Sequence, residues 1–230
     1  MNKTKLRLSL FLLLGSLALG SCSRSGGNEF TAEGTITDAA GKTLYLETTD
    51  TDEPQLIDSV TLDEKGRFRF RREAHSYPAF YRLRLGESFI PFAADSLTHL
   101  TLSASGKDLF STYKIESGDE ANKQIREIGQ LRTATDKAIE AILTQLNNGT
   151  LDRGIALARI DSLSTQLKNT LTSKYIFSDP KGAAAYYALF QSYLGGTYFS
   201  IDHPGDDRAF AAVATAYDAF HPNAPYTPLL

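Results

Sequence analysis

The side chains of this sequence that suit catalysis or metal binding are few and widely spaced. Its four histidines fall in different segments, and only Asp202 and His203 with Asp206 and Asp207 approach the clustering of a metal site. Loop and helix-cap chemistry explains that cluster better than a metal does. No Gly-x-Ser-x-Gly turn is present to hold a serine nucleophile. The sequence therefore predicts no catalytic residue, no metal and no cofactor.

Cys22 is the only cysteine of the 230 residues, and it follows the ordered regions of an export signal. Those regions are a positive start, an apolar run and a small-residue end: Lys3, Lys5 and Arg7; residues 8–19; Gly20 and Ser21. The apolar run is too short to cross a bilayer comfortably. We interpret residues 1–21 as a signal peptide that is removed before Cys22.

Leu19-Gly20-Ser21-Cys22 resembles the lipobox of bacterial lipoproteins. The resemblance implies a diacylglycerol on the Cys22 sulfur and an acylated new amine. Because stable anchoring needs more than one acyl chain, this modification would hold the protein in the cell envelope. Ser23 is similar to the residue that follows the cysteine in lipoproteins of the outer membrane, which implies an outer-membrane location facing the periplasm. The alternative is a soluble secreted protein with an incidental cysteine.

The expected mature chain is acidic and has no thiol. Removing three positive charges from a formal net charge of -3 leaves about -6, and an acidic chain is repelled by phosphate backbones, so we expect no nucleic-acid partner. A thioether at Cys22 would also exclude disulfide exchange and thiolate metal sites. Residues 22–28 are small and polar, as in a flexible tether.

Residues 29–116 alternate apolar and polar side chains, which is typical of β-strands. Three hairpins are predicted: residues 30–36 with Leu44 and Leu46; 56–62 with 67–71 around Gly66; and 80–85 with 88–92. The short connections leave no room for crossover helices. We therefore expect only antiparallel pairing, in a sandwich-like domain.

Residues 117–222 repeat apolar side chains every three to four positions, which predicts helices. The expected elements are a long antiparallel pair and two shorter helices, with starts at Ser117 or Asp119, at Asp152, at Asp179-Pro180 and at Asp206. The fold class is therefore α+β. Residues 223–230 read as the start of a missing or truncated segment, in which Asn223 caps a helix and the last apolar groups have nothing to pack against. The alternative is a natural stand-alone module whose last residues dock locally. We expect some self-association through this end.

Several of these segments together resemble the N-terminal region of envelope lipoproteins that carry the domain of unknown function 4369. They are Ile57-Asp58-Ser59-Val60-Thr61-Leu62, the turn at 63–66, Phe68 and Phe70, Phe80-Tyr81-Arg82-Leu83, and Ser117-Gly118-Asp119-Glu120-Ala121-Asn122. In that family this region usually precedes a thioredoxin-like domain with a Cys-x-x-Cys motif. The chain has no such motif, so the family's catalytic residues have no positions here. The resemblance implies a non-catalytic binding or positioning module, whose partner is a thioredoxin-like domain or another envelope protein.

Two sets of side chains are candidates for a binding surface. The first set is five arginines on one face of two predicted strands: Arg67, Arg69, Arg71, Arg82 and Arg84. If the strands are neighbours, the arginines form a patch for an anion or a partner, although pairing with acids such as Glu47 and Asp58 is the favoured interpretation. The second set is four tyrosines that either line a groove between helices or belong to the core: Tyr186, Tyr187, Tyr193 and Tyr198.

Three Asp-Ser pairs followed by an apolar residue resemble O-glycosylation sites of exported proteins in some Gram-negative anaerobes. The serines are Ser59, Ser96 and Ser162. Asp-Ser is also a frequent turn and cap pair, so both interpretations stay open. The competing function for the whole chain is a solute- or glycan-binding lipoprotein that uses a groove between the β domain and the helices.

Overall fold

The computed structural model describes residues 28–49, 53–193 and 196–230, and it confirms the α+β class. The strands of the first half are β1 (Glu29–Thr37), β2 (Thr43–Thr48), β3 (Gln55–Thr61), β4 (Arg67–Glu73), β5 (Ala79–Leu85), β6 (Ser88–Ala94), β7 (His99–Ser105) and β8 (Lys114–Ile115). A short helix, α1 (Leu109–Thr112), precedes β8. The second half contains α2 (Glu120–Asn147), α3 (Arg153–Leu171), α4 (Ala183–Leu189), a two-stranded ribbon of β9 (Ser192–Tyr193) and β10 (Gly196–Thr197), and α5 (Asp207–Phe220).

Eight strands of the described residues form two four-stranded sheets. The outer sheet has the order β4-β1-β7-β8, and the middle sheet has the order β3-β2-β5-β6. Alternate side chains of both sheets enter one shared hydrophobic cluster, which includes Phe30 and Phe70 from the outer sheet and Leu46, Leu83 and Phe92 from the middle sheet. The β-rich half is thus built around a core between two sheets, consistent with a sandwich.

The chain passes repeatedly from one sheet to the other, and this corrects two of the predicted hairpins. β1 pairs with β4 and β7, not with β2, and β3 pairs with β2, not with β4. Only the β5–β6 hairpin forms as predicted. Alternation in sequence shows that a strand has one buried face, but both sheets of a sandwich bury such a face. A short turn can therefore lead into the opposite sheet.

The expectation of purely antiparallel pairing is wrong for one pair, because β1 and β7 run parallel. No crossover helix is needed there, since the chain returns through the middle sheet. The two strands approach closely at Gly34, where an added Cβ would lie 1.8 Å from the carbonyl oxygen of Leu102. Gly66 takes the positive φ expected of its turn, at 73°, and its carbonyl accepts a hydrogen bond from the backbone N–H of Ile36 at 2.8 Å.

The long helices begin where the sequence predicts. Asp119 caps α2 by accepting a hydrogen bond from the backbone N–H of Asn122, and Asp152 caps α3 through Gly154 and Ile155. Both helices bury one apolar stripe, which includes Ile125, Ile128, Ile139 and Ile142 on α2 and Leu167 and Leu171 on α3. The chain leaves α3 through a π-helical turn, Thr172–Ile176.

The end of the chain differs from the prediction in two places. The third helix is shorter than expected at both ends. It begins at Ala183 and not at Asp179-Pro180, and it ends at Leu189, so that Tyr193 lies in the β9–β10 ribbon. Asn223 does not cap a helix; the last residues form a single 3-10 turn, Thr227–Leu229. The final apolar groups are packed only in part: Tyr226 is 4% exposed in the helical core and Leu230 packs against that core, whereas Leu229 is 81% exposed.

The helices pack on the outward face of the middle sheet and form a third layer. Phe80 of β5 and Ala93 of β6 belong to the hydrophobic cluster of the helices, not to the core between the sheets. Asn122, at the start of α2, accepts a hydrogen bond from the backbone N–H of Ala93 at 2.8 Å and donates one to its carbonyl at 2.8 Å. The Asn122 amide thereby satisfies a backbone position on the edge strand of the middle sheet.

Candidate functional site

A groove lies where the helical layer stops covering the middle sheet. Its first compartment has a volume of about 540 Å³, and its lining includes charged, polar and aromatic side chains: Thr49, Arg82, Glu87, Ser88, Phe89, Phe110, Arg132, Gln191 and Ser192. Its second compartment, of about 330 Å³, includes Phe80, Phe92, Ile125, Tyr186, Tyr226 and Leu229. The two compartments are continuous, because six residues line both: Thr49, Tyr81, Pro91, Tyr187, Phe190 and Gln191.

The first wall of the groove is the outward face of β5 and β6. Because side chains alternate along a strand, Arg82 projects outward while Leu83 is fully buried in the core between the sheets. Phe89 is 41% exposed on the same outward face, and the Arg82 guanidinium lies 5.1 Å from its ring centre. Pro91 follows on the edge strand, where the lack of an N–H is tolerated.

The second wall is formed by α4 and the residues that follow it. Gln191 is buried, donates a hydrogen bond to the carbonyl of Tyr187 at 2.7 Å, and accepts one on its own carbonyl from the N–H of Tyr198 at 3.0 Å. These bonds fix the chain just past the helix end. Phe190 is left 44% exposed beside Tyr187, so this wall presents aromatic rings to the groove.

Glu47 orients the arginines of the first wall. Its side chain is only 6% exposed and accepts hydrogen bonds from the Nε of Arg82 at 2.6 Å and the Nε of Arg84 at 2.7 Å. Burial alone would raise the pKa of Glu47, but the hydrogen bonds and positive charges of the two arginines outweigh it and hold that pKa below its ordinary value. Arg84 also lies over the ring of Tyr45, 4.4 Å from its centre.

A second carboxylate orients an arginine that enters the groove from α2. Asp136 accepts a hydrogen bond from Nη1 of Arg132 at 2.5 Å, and its other oxygen accepts one from the hydroxyl of Tyr198 at 2.6 Å. Burial, together with that hydrogen bond, raises the pKa of Tyr198 above its ordinary value. The Tyr198 hydroxyl is therefore a neutral donor at physiological pH. It holds the Asp136 carboxylate in place, and that carboxylate in turn orients the Arg132 guanidinium.

Tyr187 contributes a neutral hydroxyl and a ring at the junction of the compartments. Burial raises the pKa of Tyr187, and the positive charge of Arg132 and a hydrogen bond with Gln191 oppose that rise only in part. Of the four tyrosines considered from the sequence, Tyr186 and Tyr187 line the groove. Tyr193 and Tyr198 line a separate cavity of about 270 Å³ beside Lys168.

The structure does not bring the five predicted arginines together. Arg82 and Arg84 lie on the middle sheet, whereas the other three lie on β4 of the outer sheet. Each of those three is paired with its own acid: Arg67 with Asp63 at 2.6 Å, Arg69 with Glu33 at 3.3 Å, and Arg71 with Glu29. These pairs are exposed and contribute little to stability. Asp58 pairs with Arg72, at 2.5 Å.

The acidic cluster near His203 is organised by a lysine. Asp206 is buried, accepts a hydrogen bond from Nζ of Lys168 at 2.8 Å, and accepts another from the backbone N–H of Ser200 at 3.0 Å. Asp202, His203 and Asp207 are exposed around it. Within residues 28–49, 53–193 and 196–230, no group of three or more His, Cys, Asp or Glu side chains is arranged to hold a metal ion.

None of the three serines predicted as O-glycosylation sites lines the groove, and the predicted lipidation site lies outside the described residues. Ser59 on β3 and Ser162 on α3 are exposed, and Ser96 is half-buried in the turn before β7. Glycosylation of these serines stays a prediction. Cys22 and the signal sequence lie outside the residues that the structure describes, and none of the described helices is long and apolar enough to cross a membrane.

The sequence indicated only part of the groove. Arg82, Tyr186 and Tyr187 belong to predicted sets, and Glu47 was an expected partner of the arginines. Arg132 and Asp136 are spaced i,i+4, which is common for solvent-exposed ion pairs on helices. The sequence therefore gave no reason to place this pair in a groove. Gln191 gave no signal, because its role depends on where α4 ends.

Comparison of the chain with protein-family models, with curated proteins and with solved structures returned no match.

Proposed function

We propose that the chain is a lipid-anchored, non-catalytic binding module of the cell envelope, and that the groove between the middle sheet and the helices holds its ligand. The observation that carries this proposal is the lining of the groove, which combines exposed aromatic rings with oriented polar groups. Ligand pockets of proteins have this composition and this range of volumes. A small solute or a glycan fits the groove better than a macromolecule does.

The chemistry of the lining favours binding over catalysis. The described lining contains neither histidine nor cysteine, and its one carboxylate, Glu87, is exposed to solvent. The nearby carboxylates of Glu47 and Asp136 are already engaged by arginines. The only cysteine of the chain is Cys22, and its lipidation would remove the thiol that disulfide exchange requires.

A second candidate function is to position a thioredoxin-like domain near the membrane, as the resemblance to envelope lipoproteins implies. The joint between the layers supports it. Phe80 and Ala93 of the middle sheet are shared with the helical core, and Asn122 fastens the start of α2 to the edge strand. An arrangement of this kind transmits a fixed orientation from the β layers to the helices.

A neutral fluorescent probe tests the binding proposal. Both hydrophobic clusters are built from residues between Phe30 and Leu230, so the chain that begins at Ser23 contains everything needed for the described fold. We expect this chain to bind N-phenyl-1-naphthylamine and Phe190→Ala to weaken that binding about tenfold. The control is Phe177→Ala, since Phe177 is 49% exposed and Phe190 is 44% exposed, but Phe177 does not line the groove. Equal binding by the two variants would contradict the proposed site.

A further inference from the structure

Two arginines enter the first compartment of the groove from different layers, and a buried carboxylate holds each of them. Arg82 comes from the middle sheet and is held by Glu47, whose side chain is 6% exposed. Arg132 comes from α2 and is held by Asp136, whose side chain is 11% exposed. Because the carboxylates fix the guanidinium planes in advance, little side-chain entropy remains to be lost when a ligand binds.

Both guanidinium groups keep donors for a ligand. A guanidinium has five N–H donors in a planar fork, and the bond to Glu47 uses the one on Nε of Arg82, while the bond to Asp136 uses Nη1 of Arg132. The side chains remain 22% and 30% exposed, respectively, and both line the same compartment.

The local charge favours an anion in this compartment. Glu47 is shared by Arg82 and Arg84, so these three side chains keep one positive charge in excess. Glu87 adds a negative charge to the same compartment from the β5–β6 turn, but it is exposed, so solvent reduces the effect of its charge without removing it. A planar, oriented pair of guanidinium groups is the arrangement that proteins use for carboxylate, sulfonate and phosphate oxygens.

The neighbouring compartment is apolar and begins at the same rings. Tyr187 and Phe190 belong to both compartments, as do the polar residues Thr49 and Gln191. Beyond these shared residues the lining is aromatic or aliphatic, with Phe80, Phe92, Ile125, Tyr186, Tyr226 and Leu229. A volume of about 330 Å³ accommodates one or two fused rings or a short alkyl chain. An occupant therefore meets charge at one end of the groove and apolar surface at the other.

We infer that the groove binds a small amphiphilic anion, with its anionic group between Arg82 and Arg132 and its apolar body against Tyr187 and Phe190. This inference rests on the proposed binding function and adds the chemical class of the ligand. Arg82 and Arg132 recognise the head group, and Glu47 and Asp136 act as positioning residues. Glu87 weakens anion binding, because it adds a like charge to the same compartment.

The experiment compares two probes that differ only in charge. N-phenyl-1-naphthylamine is neutral, and 8-anilinonaphthalene-1-sulfonate has the same ring systems with a sulfonate added. We expect the chain from Ser23 to bind the sulfonate at least about tenfold more tightly than the neutral probe, because one charged hydrogen bond contributes about that much affinity. Arg82→Gln and Arg132→Gln should each remove about tenfold of sulfonate affinity and reduce the affinity for the neutral probe by less, so that the ratio of the two affinities falls.

Two further variants serve as controls. Arg67→Gln removes an exposed arginine on the outer sheet that is paired with Asp63, so it should change neither affinity. Glu87→Gln should tighten sulfonate binding severalfold and so raise the ratio of sulfonate affinity to neutral-probe affinity. Thermal melts establish that each variant is folded; if Arg82→Gln is not, Arg132→Gln and the ratio of the two affinities in the unmodified chain decide.

The outcomes separate this inference from the proposed function. The inference is wrong if both probes bind equally, or if neither arginine variant reduces the ratio of sulfonate affinity to neutral-probe affinity. In either case a neutral ligand in the groove remains the proposal. If neither probe binds, both the inference and the proposed binding function are wrong.

Discussion

At the scale of single residues, Glu47 is the acid on which the first wall of the groove depends. It is buried between Arg82 and Arg84, and both of its oxygens are occupied by them. Removing one partner of a buried ion pair leaves uncompensated charge in a poorly solvated place. The stability of the fold and the geometry of the groove are therefore linked at this position.

Glu47→Gln should lower the free energy of unfolding at pH 7 by about 3 kcal/mol. Because the folded-state pKa of Glu47 lies below its ordinary value of 4.5, the stabilisation is complete above that value and is lost as the pH falls through the folded-state pKa. The difference between variant and unmodified chain should therefore shrink below about pH 4.5. Urea unfolding at a series of pH values measures this difference in the free energy of unfolding. The control is Glu64→Gln, because Glu64 is exposed. A difference that does not change with pH would contradict this account.

Cys22 determines the location of the protein in our proposal. Cys22→Ala removes the sulfur that would carry the diacylglycerol, so the variant should shift from the membrane fraction to the soluble fraction of the host. Ser23→Ala is the control, because it leaves the cysteine in place. Fractionation followed by immunodetection measures the shift, and unchanged membrane association of the Cys22 variant would count against lipid anchoring.

At the scale of elements, the joint between α2 and the edge strand β6 depends on one amide. Asn122 is 2% exposed and makes two hydrogen bonds to the backbone of Ala93. Asn122→Ala leaves a buried donor and a buried acceptor without partners, which costs about 2 to 4 kcal/mol of stability. Asn169→Ala, at an exposed position of α3, should cost less than about 1 kcal/mol. Chemical denaturation compares them, and equal losses would show that the joint is unimportant.

The elements that the sequence predicted well are those that local signals determine. The caps at Asp119 and Asp152 and the apolar stripes of α2 and α3 depend on neighbours within one or two turns. The assignment of strands to sheets depends on distant partners, such as Gly34 beside Leu102, and alternation carries no information about them. The lining of the groove was predicted only in part for the same reason, since Asp136 meets Tyr198 across 62 positions of the chain.

At the scale of the whole molecule, the two hydrophobic clusters share the middle sheet. Its inward face contributes Leu83 and Phe92 to one cluster, and its outward face contributes Phe80 and Ala93 to the other. If either the helical layer or the outer sheet separated from the middle sheet, it would expose one apolar face of that sheet. The β layers and the helices should therefore unfold together.

Calorimetry of the chain from Ser23 should give a single unfolding transition. Phe80→Ala should lower the midpoint of that one transition by removing about 3 to 5 kcal/mol of stability from the shared face. Leu97→Ala is the control, because Leu97 is 83% exposed. Two well-separated transitions, or a Phe80 variant in which only part of the signal shifts, would contradict the expectation of one cooperative unit.

The central claim is that the groove between the middle sheet and the helices is the binding site, and amide chemical-shift mapping tests it most directly. On titration of 8-anilinonaphthalene-1-sulfonate into the chain from Ser23, we predict saturable shifts at Arg82, Phe89, Tyr187, Phe190 and Gln191, which lie in both walls. The cavity of about 620 Å³ along α3, lined by Ser162, Gln166 and Asn169 among others, provides the internal comparison and should not respond. Shifts confined to α3, or spread evenly over the surface without saturation, would contradict the claim.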